Sequence, residues 1–325
     1  MSGWIKNPDY RIINGDCVDM LRQVEPHSID LSVFSPPFSS LYAYTDADAD
    51  MGNSRESDDE FLLHYEFFAD ALLPTIKPGR NVIIHLQQVS RFKVHHGFIG
   101  LYDIRGAVVR IMEKVGFRFY GEVTIDKCPQ AQAIRTKTAC LTFTQKERDA
   151  AVSRPALSDH LVIFKAPGDN RTPIKNDVSR EEWISWARPL WQEDINHDPS
   201  SFEGLVEMID AARAAGMTAP FWRDIKETDT LNTRSAKSQN DERHVCPLQL
   251  PLIRRCVRMW SNEGETILSP FMGVGSEGVT ALELRRRFVG IELNPRYFGV
   301  ARKNLDKELK ARGKAGGLLG LMGVM

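Results

Sequence analysis

The feature that most constrains this 325-residue chain is a glycine-rich turn placed close to its end. Residues 267–278 read ILSPFMGVGSEG: an apolar run enters Gly273-x-Gly275-x-x-Gly278, and a helical pattern opens at Ser276 and Glu277. Glycines at that spacing permit a tight strand-to-helix turn and let a ligand approach the backbone closely. Dinucleotide-binding folds build both βαβαβ halves after such a turn. Here only residues 279–325 follow, enough for one strand and one or two helices. The sheet must therefore be completed by strands that come earlier, in a permuted order.

The preceding chain offers those strands. Apolar runs at Tyr10–Ile13, Ile29–Phe34, Asn81–Leu86, Phe117–Ile125 and Leu161–Lys165 join Thr266–Leu268 and Phe288–Glu292. Helical periodicity lies between them, near Asp58–Leu73, Ile104–Val115, Leu248–Trp260, Glu277–Arg286 and Pro295–Arg312. That alternation predicts an α/β fold with a mostly parallel sheet. Two stretches break it. Tyr42–Glu60 is polar and acidic and reads as a surface loop. Ala166–Arg243 is irregular, carries Trp183, Trp186, Trp191 and Trp222, and ends in a polar run, which marks a candidate recognition insertion. Gly313–Met325 is Gly-rich and apolar and reads as a flexible tail.

Bulk composition excludes more than it selects. The formal net charge of −1 is silent about nucleic acid, because only a local basic face matters to phosphates. Five cysteines, an odd number with no CxxC pair, suggest neither a disulfide framework nor a zinc site. The histidines show no ligand spacing, so no metal is expected. The N-terminus lacks the order of a signal peptide, and no apolar run approaches the ~20 residues of a membrane span. A cytoplasmic location is the expectation.

Two segments carry chemistry. Glu292 ends the strand after the glycine turn, where a carboxylate can accept hydrogen bonds from both hydroxyls of a ribose. With Gly273 and Gly275 this predicts a site for an adenosine-bearing cofactor. The pattern also fits a nicotinamide dehydrogenase, but the permuted order argues against one. The second segment is Ser35-Pro36-Pro37-Phe38, at the end of the run IDLSVF. Consecutive prolines make a rigid turn that can hold the Ser35 hydroxyl and the Pro36 carbonyl as two acceptors at fixed separation. The exocyclic amine of cytosine or adenine is a poor nucleophile because its lone pair is delocalised into the ring. Acceptors on both its hydrogens favour a tetrahedral nitrogen whose lone pair can attack an electrophilic methyl. No general base is needed before attack, since the cation formed is acidic. Phe38 can stack on a base extruded from the helix.

Together these segments resemble the amino-group DNA methyltransferases of the permuted beta order, over roughly residues 10–165 and 240–310. The resemblance implies S-adenosylmethionine as cofactor and a Rossmann-like S-adenosylmethionine-dependent methyltransferase fold, with a mostly parallel seven-stranded sheet and helices on both faces. It implies a catalytic domain of residues 1–165 and 244–312 around a target-recognition insertion, 166–243. Asn14-Gly15-Asp16-Cys17 looks like the family's acidic motif near the cofactor adenine, which assigns Asp16 and Cys17 there. Lys77-Pro78-Gly79 with its following strand, and His160–Gly168, resemble further family blocks. His244-Val245-Cys246-Pro247-Leu248 resembles the segment cradling the methionine moiety, implicating His244, Pro247 and Leu248. Ser269-Pro270-Phe271 and Ser276 complete the implied cofactor set, although the family commonly has Asp-Pro-Phe where this chain has Ser269.

Serine at the first position of the tetrapeptide tends to accompany cytosine-N4 activity in that family, and aspartate adenine-N6 activity. The expected substrate is therefore cytosine N4 in double-stranded DNA, reached by base flipping, with adenine N6 as the alternative. Any restriction endonuclease would be a separate protein. Methylation at cytosine C5 needs a cysteine after a proline, whereas Cys128 and Cys246 each precede one. From another class, a non-catalytic DNA-binding protein on the same scaffold is the competing expectation, supported by Ser269. RNA as substrate fits the same amine chemistry.

Overall fold

The computed structural model describes residues 3–37, 58–91, 93, 97–127, 129–136, 138–187, 190–194, 223–226, 229–231 and 247–322. Their strands, in chain order, are β1 (Ile5–Lys6), β2 (Tyr10–Asn14), β3 (Ile29–Phe34), β4 (Ile76–Gln87), β5 (Val89–Arg91), β6 (Gly100–Tyr102), β7 (Arg118–Asp126), β8 (Asp159–Lys165), β9 (Leu190–Asp194), β10 (Arg223–Lys226), β11 (Thr266–Ser269) and β12 (Arg287–Glu292). The main sheet runs β1-β2-β12-β11-β3-β4-β8-β7-β9-β10. Each apolar run named above becomes one of its inner strands. The expected count of seven is corrected to ten among the described residues, and the sheet is mixed. The additional strands are β1 at one edge and β9 and β10 at the other end of the sheet, with β10 outermost; an edge strand needs only one row of hydrogen bonds and no apolar pattern. Accordingly LWQED and RDIK read as polar. β5 and β6 form a separate antiparallel pair.

The permuted order shows directly in the pairing. β2, β12, β11, β3 and β4 are neighbours in parallel, while β8 runs against both β4 and β7. β3 pairs with β11 through Leu31 opposite Ile267 and Ser32 opposite Leu268. At this pair the chain leaves to opposite faces. The helix before β4, Asp58–Leu72, packs Phe61, Tyr65 and Phe68 into one core with Phe34. The helix after β11, Ser276–Glu283, packs Ala281 and Leu282 into the other core with Leu31 and Val33. Strands buried on both faces need apolar residues at odd and even positions alike, which explains continuous runs in place of alternation.

Two boundaries differ from the sequence reading. β4 starts at Ile76, because Lys77-Pro78-Gly79 forms an excursion within the strand: Ile29 pairs with Ile76 but Leu31 with Asn81. The C-terminal helix continues past Arg312 to Met322, through the stretch read as a flexible tail. No proline follows Pro295 to stop it, and Ala, Leu and Met in that stretch are good helix formers. Among the described residues, no helix is long and apolar enough to cross a membrane.

The amino ends of β3, β4 and β11 are tied by a buried charge network. Asp30 accepts from Lys77 Nζ at 2.6 Å and from the Thr266 N–H at 2.9 Å. Arg80, 1% exposed, lies 3.6 Å from Asp30, forks onto the Glu265 carboxylate and also donates to the Thr172 carbonyl. Removing one partner of such a network strands the others in a low dielectric, at a cost of about 3–5 kcal/mol. Arg80→Met keeps the volume and removes the charge; urea unfolding is expected to show a loss of about that size. A loss below about 1 kcal/mol would mean that the network contributes little.

Candidate active site

Five parallel strands end on one edge of the sheet, and the turns that leave it carry the Asp16, Ser35–Pro37 and Gly273–Gly275 motifs. Between β11 and β3 the chain leaves to opposite faces, and such a switch point is the usual ligand position in open α/β sheets.

The β11 turn is shaped by its glycines and by Glu292. Gly273 and Gly275 have φ of 51° and 92°, a region that favours glycine. A Cβ on Gly275 would lie 3.2 Å from that of Ala301, and one on Gly278 only 2.6 Å from Leu305 and Phe288 side chains. A Cβ at Gly273 would meet nothing within 4 Å, so the backbone faces open space there. The Glu292 carboxylate accepts the Gly273 N–H on Oε2 and the Asn294 N–H on Oε1, each at 2.8 Å. These bonds orient the Glu292 carboxylate at the end of β12. Asp16 caps the helix Cys17–Leu21 by accepting from Val18 and Asp19 N–H groups through Oδ1. Gly15 N–H bonds to the Glu292 carbonyl at 3.0 Å, which sets the β2 and β12 ends side by side.

The buried hydroxyls of Ser269 and Ser276 have no hydrogen-bond partner among the described residues. An unpaired buried hydroxyl costs about 1–3 kcal/mol, so such groups suit a ligand carrying polar atoms. The open turn, the oriented carboxylate and these two hydroxyls fit an adenosyl amino-acid cofactor. Phe271 packs 5.6 Å from Phe34 and 4.9 Å from Phe68 between ring centroids, joining the β11 turn to the strand that ends at Ser35.

At the end of β3, Pro36 is buried and Ser35 and Pro37 are half-buried. Ser35 Oγ lies 3.0 Å from His85 Nδ1, and His85 Nε2 lies 3.0 Å from Asp159 Oδ2. Lys127 Nζ, at 2.8 Å, and Gln87 Nε2, at 2.7 Å, also reach the Asp159 carboxylate. Burial pushes the Asp159 carboxyl up, but His85 and Lys127 outweigh it and hold it well below the usual range. Asp159 is thus an acceptor only, so the proton between it and His85 sits on Nε2. With the ring neutral, Nδ1 then bears the lone pair and accepts the Ser35 hydroxyl hydrogen.

Of the expected site residues, the structure gathers Asp16, Ser269, Pro270, Phe271, Gly273, Gly275, Ser276, Glu292 and Ser35 to Pro37 on this edge. Phe38 and His244 lie outside the described residues. Cys17 and Leu248 are core residues, one in each core. Burial pushes the Cys17 and Cys256 thiols up, the latter to about 12, which leaves neither as a nucleophile. His85, Asp159 and Lys127 were not anticipated. A histidine interrupting the apolar run NVIIHL was the available signal, since a buried polar residue needs a partner.

Glu277 is also new, a carboxyl 4% exposed beneath the glycine turn. Burial, with the nearby Glu292 charge adding to it, pushes it up to about 8. The folded chain therefore holds a proton that the unfolded chain gives up above about pH 4. That stability is full below the ordinary carboxylate range and is lost as pH rises through 8, at up to about 1.4 kcal/mol per pH unit. In urea unfolding at pH 5 and pH 8, Glu277→Gln is expected to gain on the native chain at the higher pH. An equal difference at both values would contradict the buried, protonated state.

Comparison with known proteins agrees with this geometry. The N6/N4 DNA methylase family matches residues 29–303. The type II methyltransferase M2.LlaDCHI of Lactococcus lactis subsp. cremoris is 38% identical over 299 residues, covering 91% of this chain and 89% of that one. M.BglI of Bacillus subtilis is 24% identical over 352 residues, covering 92% and 86%. Among solved structures, a DNA modification methylase of Thermus thermophilus complexed with S-adenosyl-L-methionine has a TM-score of 0.63 at 18% identity, over 91% of this chain and 93% of that one. PvuII DNA methyltransferase, cytosine-N4-specific, has 0.58 at 15%, over 93% and 90%. Identities that low establish a shared fold, while the family match rests on sequence. The chain belongs to the N6/N4 DNA methylase family, the S-adenosylmethionine-dependent methyltransferases of exocyclic amines in DNA.

Proposed function

We propose that the chain methylates cytosine N4 in double-stranded DNA, at a base turned out of the helix. The observation that carries this reading is the state of Ser35. Its Oγ lies 3.0 Å from His85 Nδ1, and with that ring neutral its hydrogen goes to His85 and its lone pairs remain to accept from an amine. The cofactor, when bound, supplies an electrophilic methyl on a sulfonium sulfur. Ser35 and the Pro36 carbonyl accept the two amine hydrogens, and Pro37 and Phe38 flank the base. Glu292 takes the ribose hydroxyls, Gly273 and Gly275 allow close approach, and Asp16 lies on the adenine side, with Cys17 anchoring its turn from the core. The hydroxyls of Ser269 and Ser276 are available to the methionine end, to which the family resemblance also assigns His244, Pro247 and Leu248, while Phe271 packs the turn against Phe34 and Phe68.

Serine at position 35 supports cytosine over adenine through its association in the family. A non-catalytic scaffold has no use for a serine held in the acceptor state. The names of M2.LlaDCHI and M.BglI support a place among type II modification enzymes, with any cleaving partner a separate protein. We assign target recognition to residues 166–243.

Incubation with S-adenosylmethionine and unmethylated double-stranded DNA, then digestion to nucleosides and mass spectrometry, tests the reading. N4-methylcytosine is the expected product. N6-methyladenine would overturn the choice of base and leave the amine chemistry standing. Neither base, with cofactor still bound, would overturn the DNA substrate.

A further inference from the structure

We propose that His85 and Asp159 act as positioning residues that lock Ser35 as a hydrogen-bond acceptor and receive the proton the target amine loses. The inference rests on the amine-methylation reading but not on which base is methylated.

Three elements build the chain of contacts. Ser35 follows β3, His85 lies on β4, and Asp159 opens β8, so each bond crosses between neighbouring strands. The path begins at a half-buried hydroxyl on the crevice edge and runs inward through His85, 8% exposed, to Asp159, 4% exposed. Charged or titratable groups recorded against it are Asp159 and Lys127; Gln87 is neutral. Lys127 alone would neutralise Asp159. A histidine inserted between that pair and a hydroxyl adds nothing that an apolar side chain of equal volume would not give the core, since buried ionic networks seldom stabilise beyond well-packed hydrophobes.

The arrangement does suit the reaction. A free serine hydroxyl can point its hydrogen at the base, which would oppose the amine. With Asp159 fixing the tautomer of His85, the Ser35 hydrogen is committed inward and the oxygen is polarised toward an acceptor. The amine nitrogen of the base then gives the electron pair of the new N–C bond, and sulfur keeps the pair of the S–C bond that breaks. One amine proton passes to Ser35 Oγ as the Ser35 proton passes to His85 Nδ1. The positive charge lost from sulfur ends on the imidazolium, beside the Asp159 carboxylate, and the proton leaves later to water.

The test is a double-mutant cycle on single-turnover methyl transfer to double-stranded DNA, with cofactor affinity from calorimetry and thermal unfolding as controls. His85→Gln is expected to slow transfer about 100-fold, in the range of positioned proton acceptors, with cofactor affinity unchanged. In a Ser35→Ala background the same change is expected to cost less than about 3-fold. A merely structural histidine would cost the same factor in both backgrounds, and that result, or a native rate for His85→Gln, overturns the proposal. Should His85→Gln fail to fold, Asp159→Asn keeps the shape and removes the charge that fixes the tautomer. A fall in kcat with unchanged KM for cofactor and DNA is then expected, and an unchanged kcat overturns the proposal. The methylated nucleoside is identified in the same digests. Adenine product with a non-additive cycle would defeat the base assignment alone, and cytosine product with an additive cycle would defeat the relay alone.

Discussion

The pairing of β3 with β11 is the contact on which everything else depends. It joins residues more than two hundred positions apart, and Ser32 Oγ donates across it to the Leu268 carbonyl at 3.1 Å with a sequence separation of 236. At one end Asp30 holds the Thr266 N–H, and at the other Phe34 stacks against Phe271. Because the chain leaves these two strands toward opposite faces, a crevice must open between their carboxyl ends. One wall is the rigid Ser35–Pro37 turn and the other is the glycine turn. A methyl donor and an amine acceptor need no other scaffold than two such walls held at fixed separation.

The charged groups divide by position along the strands. At the amino ends, Asp30, Lys77, Arg80 and Glu265 satisfy one another. At the carboxyl ends the bonding is incomplete: among the described residues, Ser269 and Ser276 have unpaired buried hydroxyls, and Glu277 is buried with no cation recorded against it. Unmet polar groups are costly in a folded core, so their concentration under one turn marks where stability gives way to binding. Glu277 adds a buried carboxyl near that of Glu292.

What was legible in the sequence follows from the same physics. Inner strands are buried on both faces, so runs such as Leu161–Phe164 and Phe288–Ile291 carry no polar side chain and were readable as strands. The two-residue strand β1 and the polar segments LWQED and RDIK of β9 and β10 carry no apolar pattern and could not be read. The Ser35 and Gly273 turns were legible because proline and glycine act on the backbone locally. His85 and Asp159 were not, because their partnership exists only once β4 and β8 lie antiparallel, with Gln87 opposite Asp159 and Leu161 opposite His85. Chemistry assembled across strands needs the register, and the register is a property of the fold.

The proposed function gives the two walls separable tasks, with cofactor held by the glycine turn and reactivity set by the serine turn. Ser35→Ala tests it most directly, with S-adenosylmethionine binding measured by calorimetry beside methyl incorporation into DNA. The account predicts a cofactor Kd within about 2-fold of native and methyl transfer slower by at least about 100-fold, as for the loss of a hydrogen bond used in the transition state. Native turnover in that variant, or loss of cofactor binding and turnover together in a folded protein, would contradict it.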